Sequence, residues 1–108
     1  QVMLMPDLAG NYDESSASAM FAYALMKAER LGLCEMADKG RRAFDALRET
    51  KLKMVEGRLR LDDICCVAGL GGFDGTYRDG TPEYYVTEAI MPDDIKGVGP
   101  FAYAFCEL

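Results

Sequence analysis

A chain of 108 residues, half of them apolar, suffices for one compact unit over residues 1–108 and is too short for two ordinary domains. Its net charge of −6, from 18 acidic and 12 basic side chains without a basic run, argues against a nucleic-acid partner. The longest uncharged stretch, residues 15–26, falls short of the roughly 20 residues that cross a bilayer, so no membrane partner is expected.

Gln1 opens the chain without an initiator Met or the zones of a secretory signal, as expected of a cut from something longer. Val2, Met3, Leu4 and Met5 ahead of Pro6 read as the tail of an earlier element running into a loop. Asn11 followed three residues later by Glu14, just before an apolar run, predicts a capped helix start. From Ala17, residues Met20, Phe21, Ala24, Ala28 and Leu31 recur at helical spacing. Ala19, Ala22, Tyr23, Leu25 and Met26 make the other faces apolar too. This helix is predicted to be buried nearly all round and to stop at Gly32.

The next segment, residues 36–49, differs. Met36, Ala37, Gly40, Ala43, Phe44 and Leu47 line one face and charged residues take the rest. A buried helix followed by a one-sided helix predicts two layers, inner helices enclosed and outer helices wet. Leu52 and Met54, then Leu59 and Leu61, alternate about Glu56-Gly57 and predict a small hairpin. Ile64 continues a short apolar strand or turn. Residues 69–99, with seven of the eleven glycines plus Pro82 and Pro92, form a long irregular loop broken by one strand-like run over 84–90. Its aromatics Phe73, Tyr77, Tyr84 and Tyr85 argue against disorder. An apolar helix resumes at Val98 with Pro100 near its first turn.

The chain has no His, which removes the commonest general base and metal ligand and leaves any chemistry to carboxylates, Tyr, Lys or Cys. Cys34, Cys65, Cys66 and Cys106 contain no Cys-x-x-Cys pair and read as buried thiols; no metal or cofactor is expected. Asp13 and Glu14 fit helix capping better than paired acid catalysis. Ser15, Ser16 and Ser18 lack a His partner. Asp62 and Asp63, adjacent on extended backbone, diverge, so one faces solvent. Asp93 and Asp94 fit local turn bonding. Residues 69–72 lack the Lys-Ser/Thr ending of a P-loop. Flexible glycines beside Tyr77, Arg78, Tyr84, Tyr85 and Lys96 suit a sugar acid: cations for a carboxylate, Tyr for hydroxyls and ring faces.

Four ordered motifs carry a family resemblance: Tyr12-Asp13-Glu14-Ser15-Ser16-Ala17-Ser18-Ala19-Met20-Phe21-Ala22-Tyr23-Ala24-Leu25, Cys66-Val67-Ala68-Gly69-Leu70-Gly71-Gly72, Tyr77-Arg78-Asp79-Gly80 with Glu83-Tyr84-Tyr85, and Asp94-Ile95-Lys96-Gly97-Val98-Gly99-Pro100-Phe101. Together they resemble the final third of the unsaturated rhamnogalacturonyl hydrolases, glycoside hydrolase family 105, related to the unsaturated glucuronyl hydrolases of family 88. The resemblance implies a mainly α fold, the C-terminal portion of an (α/α)6 barrel. It also implies that a carboxylic acid protonates the vinyl ether of a 4,5-unsaturated uronyl residue, and that the hydrated product rearranges to break the glycosidic link. That acid lies upstream of the matching region, so no catalytic residue is assigned here. Arg78, Tyr84, Tyr85 and Lys96 are carried over as substrate-binding candidates on a pocket wall. The partners implied are an unsaturated uronic-acid oligosaccharide and the remainder of the barrel. Pro82 and residues 73–76 depart from the family pattern. Alternative readings are a non-catalytic carbohydrate-binding module or a structural piece that self-associates through exposed inner-helix faces.

Overall fold

The computed structural model describes residues 5–108; the predicted upstream element at Val2, Met3 and Leu4 lies outside them. The described residues are mainly helical. Helix α1 (Ser15–Arg30) starts later than predicted, because Glu14 and not Asn11 is its N-cap. Glu14 holds extended backbone while its carboxylate takes the Ala17 N–H at 2.7 Å. Asn11 instead organises the preceding loop, accepting from its neighbour Tyr12 and donating to the Met5 carbonyl. At the other end Gly32, at positive φ, donates to Glu29 O and Leu33 donates to Ala28 O, the paired bonds of a glycine-terminated helix.

Helix α2 (Ala37–Thr50) buries Ala37, Gly40, Phe44 and Leu47 against α1 and leaves the rest wet, as predicted. Gly40 permits the closest approach: a Cβ there would lie 2.8 Å from the Ala22 carbonyl and 2.7 Å from Met26 Cγ. The core consists of Ala22, Met26, Ala37, Phe44 and Ala104. The expectation that α1 is buried all round is not met within this chain. Ala19, Ala22 and Met26 face inward, but Phe21 is 67% exposed and Met20 and Ala24 are exposed beside it. Only two helices flank α1, so its third face has no cover among the described residues.

Strands β1 (Leu52–Val55) and β2 (Arg58–Leu61) form the predicted hairpin, with Leu52 opposite Leu61 and positive φ at both Glu56 and Gly57. Strand β3 (Ile64–Cys65) falls where the sequence suggested a short apolar strand or turn, and the irregular loop expected over 69–99 is more ordered than predicted. A second hairpin joins β4 (Gly71–Phe73) to β5 (Thr76–Arg78) through Asp74-Gly75, again at positive φ. The strand-like run over 84–90 opens instead in a one-turn helix, α3 (Pro82–Tyr85), whose cap Thr81 accepts the Tyr84 N–H; the run then turns over residues 86–88 and is strand at Ile90 alone. Pro82 at the helix start fixes the φ a first turn needs, and this overrides the strand preference of the tyrosines. Strand β6 (Ile90–Met91) pairs antiparallel with β3.

Helix α4 (Ile95–Phe105) begins at cap Asp94, three residues before the predicted start, because the Asp94 carboxylate takes the Lys96 N–H. Pro100 therefore falls inside the helix, not in its first turn. Helix α4 packs on α1 and also meets α2, so the three helices share one core. Phe101 stacks on Phe44 at 4.9 Å between ring centroids, and Tyr103 lies 5.5 Å from Tyr23. No helix among the described residues is long and apolar enough to cross a membrane.

Candidate functional site

The N-terminus of α1 is fastened to the segment around β3 by bonds that leave little freedom. Ser15 donates its N–H to Asp63 O and its hydroxyl to Asp62 O at 2.6 Å. Glu14, only 4% exposed, takes the Ser16 hydroxyl at 2.7 Å and the Cys65 N–H at 3.0 Å. Burial alone would push the Glu14 carboxyl up. The bonds from Ala17, Ser16 and Cys65 outweigh it and hold the group below its ordinary value. The serines therefore cap and seam, as their lack of a His suggested.

Around this carboxylate sits a buried polar cluster. Burial, then the neighbouring Cys65 thiol and Glu14 carboxylate, push the Tyr12 phenol well above its ordinary range. The Tyr85 phenol is raised by burial first and then by the same two groups. Burial likewise raises the Cys65 thiol. At neutral pH these groups are protonated and act as donors or packing surface, not as bases. All four cysteines are free, but the expectation of buried thiols holds only for Cys65; Cys106, just past the end of α4, is exposed.

Beyond Cys66 the chain forms a shallow depression of about 300 Å³, lined among others by Val67, Phe73, Arg78, Tyr84, Thr87 and Glu88. The β4–β5 hairpin supplies Phe73 and Arg78, and α3 supplies Tyr84. Arg78 donates from Nε to Gly71 O and from Nη2 to Leu70 O, both at 3.2 Å, and its guanidinium lies 4.8 Å from the Phe73 ring centroid. Gly69 makes room for it: a Cβ there would stand 2.5 Å from Nη1. The Tyr84 hydroxyl donates to Glu88 and accepts the Gly69 N–H at 3.4 Å. Burial and the Glu88 bond raise the Tyr84 pKa, keeping it a neutral donor. Arg78 forms no ion pair with any described residue. A cation held in place by carbonyls and a ring, but paired with no acid, can meet a ligand carboxylate with its remaining donors.

The four candidates thus divide. Arg78 and Tyr84 line the depression together. Tyr85, next in sequence, turns to the Tyr12–Cys65 cluster. Lys96 lies behind the wall, its ammonium donating to Cys66 O at 2.5 Å and pairing with Asp94 at 2.7 Å. Phe73 and Glu88 line the depression and were not singled out as site residues. For Phe73 the available signal was Asp74-Gly75, which turns the chain so that Phe73 comes near Arg78.

The remaining acids serve the fold. Asp62 is nearly buried and paired with Arg60 and Lys53, whereas Asp63, at positive φ, turns to Lys51 and is the more exposed side chain. The Arg60 guanidinium, then Lys53, hold the Asp62 carboxyl below its ordinary value. Asp93 accepts the Leu61 N–H at 2.8 Å and returns its own N–H to Leu61 O, and Asp94 caps α4.

Comparison with known proteins bears on what this arrangement belongs to. The structure superposes on a family 105 glycoside hydrolase from C. acetobutylicum ATCC 824 with a TM-score of 0.86 and 39% identity, covering 95% of this chain and 29% of that one. Protein Atu3128 of Agrobacterium fabrum and a 24.9 kDa protein in the picA locus of Rhizobium radiobacter are each 56% identical over 114 residues. The matches cover 99% of this chain, which spans about half the length of either relative, 49%. The family model described as Glycosyl Hydrolase Family 88 matches residues 1–108. The chain belongs to that family of glycoside hydrolases, in the 88/105 grouping to which its motifs pointed.

Proposed function

We propose that residues 1–108 act as one unit, a C-terminal part of an (α/α)6 barrel, in an enzyme that hydrolyses 4,5-unsaturated uronyl oligosaccharides by hydration of the vinyl ether. The observation that carries the reading is the Arg78 guanidinium, seated over Phe73 beside Tyr84 with no acidic partner among the described residues. A uronyl carboxylate would meet Arg78, and a ring hydroxyl would donate to the phenol oxygen of Tyr84, whose own proton goes to Glu88. Tyr85 and Lys96 support this wall from behind. The rest of the barrel would cover the exposed face of α1 at Met20, Phe21 and Ala24. The proton-donating acid belongs to that upstream part, so this chain alone is inactive.

Two experiments test the reading. The longer protein carrying this segment should abolish the ultraviolet absorbance of unsaturated galacturonyl or glucuronyl disaccharides; unchanged absorbance with every such sugar would refute the activity. This chain alone should bind D-galacturonate but not D-galactose in an NMR titration, with shifts at Arg78 and Tyr84. Equal shifts with both sugars would refute the role of Arg78.

A further inference from the structure

Two consecutive residues at the foot of the pocket wall are gripped by opposite charges. The Glu14 carboxylate takes the N–H of Cys65 at 3.0 Å, and the Lys96 ammonium donates to the carbonyl of Cys66 at 2.5 Å. Neither grip is part of the strand pairing. The Cys66 N–H goes to Ala89 O, which leaves the Cys65 N–H to Glu14. Both charged groups are themselves anchored by helix caps: Glu14 caps α1, and Asp94, which pairs with Lys96, caps α4. The next residue, Val67, lines the depression, and Gly69 meets Tyr84 and Arg78.

From this we infer that Glu14 and Lys96 are positioning residues, a charge clamp from the starts of α1 and α4 that sets where Val67 and Gly69 stand and so aims Arg78 and Tyr84. The inference rests on the uronate-site reading for its functional part, but the clamp itself has an independent readout. A hydrogen bond to a charged group resists opening more than one between neutral groups, and a segment gripped at two successive residues loses the freedom to swing. Among the described residues, the wall at 67–69 is otherwise fastened by the long Gly69–Tyr84 contact.

The test uses this chain and its variants Glu14→Gln, Lys96→Met and Lys96→Arg, followed by amide hydrogen exchange and by D-galacturonate titration. Glu14→Gln and Lys96→Met should each speed exchange at Gly69 about tenfold and weaken D-galacturonate by a similar factor. Exchange at Ala22 and Phe44 in the helical core should not change. Lys96→Arg should restore Gly69 protection. Unchanged Gly69 exchange would overturn the clamp, and so would Gly69, Ala22 and Phe44 accelerating in step, which would mark both residues as contributors to global stability only. Should the unsubstituted chain bind no D-galacturonate, the uronate-site reading falls, and Gly69 exchange still decides the clamp.

Discussion

Replacing Gly69 by Ala tests the site without touching any side chain in it. Gly69 does not sit at positive φ, so Ala accepts its backbone, and the conflict is purely one of space. The added Cβ would stand 2.5 Å from Arg78 Nη1 and 2.8 Å from Cζ. The guanidinium must retreat by roughly 0.9 Å to regain ordinary contact. That movement lengthens bonds to Leu70 and Gly71 that are already 3.2 Å long, and it slides the cation off Phe73. Arg78 is partly exposed, so each bond contributes only about 0.5–1 kcal/mol, and the ring contact about 0.5–1 kcal/mol. Losing about 1.5–3 kcal/mol of local order should weaken D-galacturonate by roughly 10- to 140-fold. The thermal midpoint should barely move, because the β4–β5 hairpin lies outside the core of α1, α2 and α4. Titration calorimetry with D-galacturonate, alongside circular dichroism melting, separates the two effects. Unchanged affinity would refute the argument that Arg78 must lie across Gly69 to work; a large fall in melting temperature would refute the independence of this wall from the core.

Three further outcomes follow from the same geometry. Gly40→Ala gains about 1 kcal/mol of helix propensity, but its Cβ meets the Ala22 carbonyl, which cannot yield as a side chain can. A net loss of about 1–2 kcal/mol is expected in urea unfolding, and a stabilised variant would show that α1 and α2 are not so close. Phe44→Ala removes a side chain 1% exposed that meets Phe101 and Phe105, and should cost about 3–5 kcal/mol by the same measurement. Glu14 and Asp62 are both held below their ordinary values of 4.5 and 3.8, so their contributions are complete above those values and are lost as pH falls through the lower folded ones. Urea midpoints should therefore be level near neutrality and fall in acid, and Glu14→Gln should flatten part of that fall.

What was legible in the sequence follows the strength of its local signals. The wet and dry faces of α2 were plain because Arg41, Arg42 and Arg48 alternate with Gly40, Phe44 and Leu47 at helical spacing. The first hairpin was marked by Glu56-Gly57 between alternating strands. The second carried an equally good turn, Asp74-Gly75, but short, glycine-rich strands hid it. Helix α3 was missed because Tyr84, Tyr85 and Val86 favour strands, while the cap that decides the matter lies upstream at Thr81-Pro82. Residue type named Arg78, Tyr84, Tyr85 and Lys96 together, and of these the structure brings Arg78 and Tyr84 to one depression. Residue type could not separate Tyr84 from Tyr85, since one residue of a helix turns the side chain by about 100°. Nor could it show Lys96 bonded to a peptide thirty residues earlier, which only the β3–β6 pairing makes possible.

The seam between α1 and the segment before β4 also bears on the order in which the chain can fold. Its bonds join residues 47 to 51 positions apart, Ser15 to Asp62 and Glu14 to Cys65, whereas the α1–α2 contact closes across a short connection. The entropy of bringing distant segments together must be spent before such bonds form, so helices α1 and α2 should pair first, with the α1 cap incomplete. Glu14→Gln should then speed unfolding and leave refolding nearly unchanged, while Phe44→Leu should slow refolding. Equal effects of Glu14→Gln on both rates would place the seam in the nucleus instead. On this route the helix pair is built before it is docked to the wall, and the pocket is among the last features of the molecule to take shape.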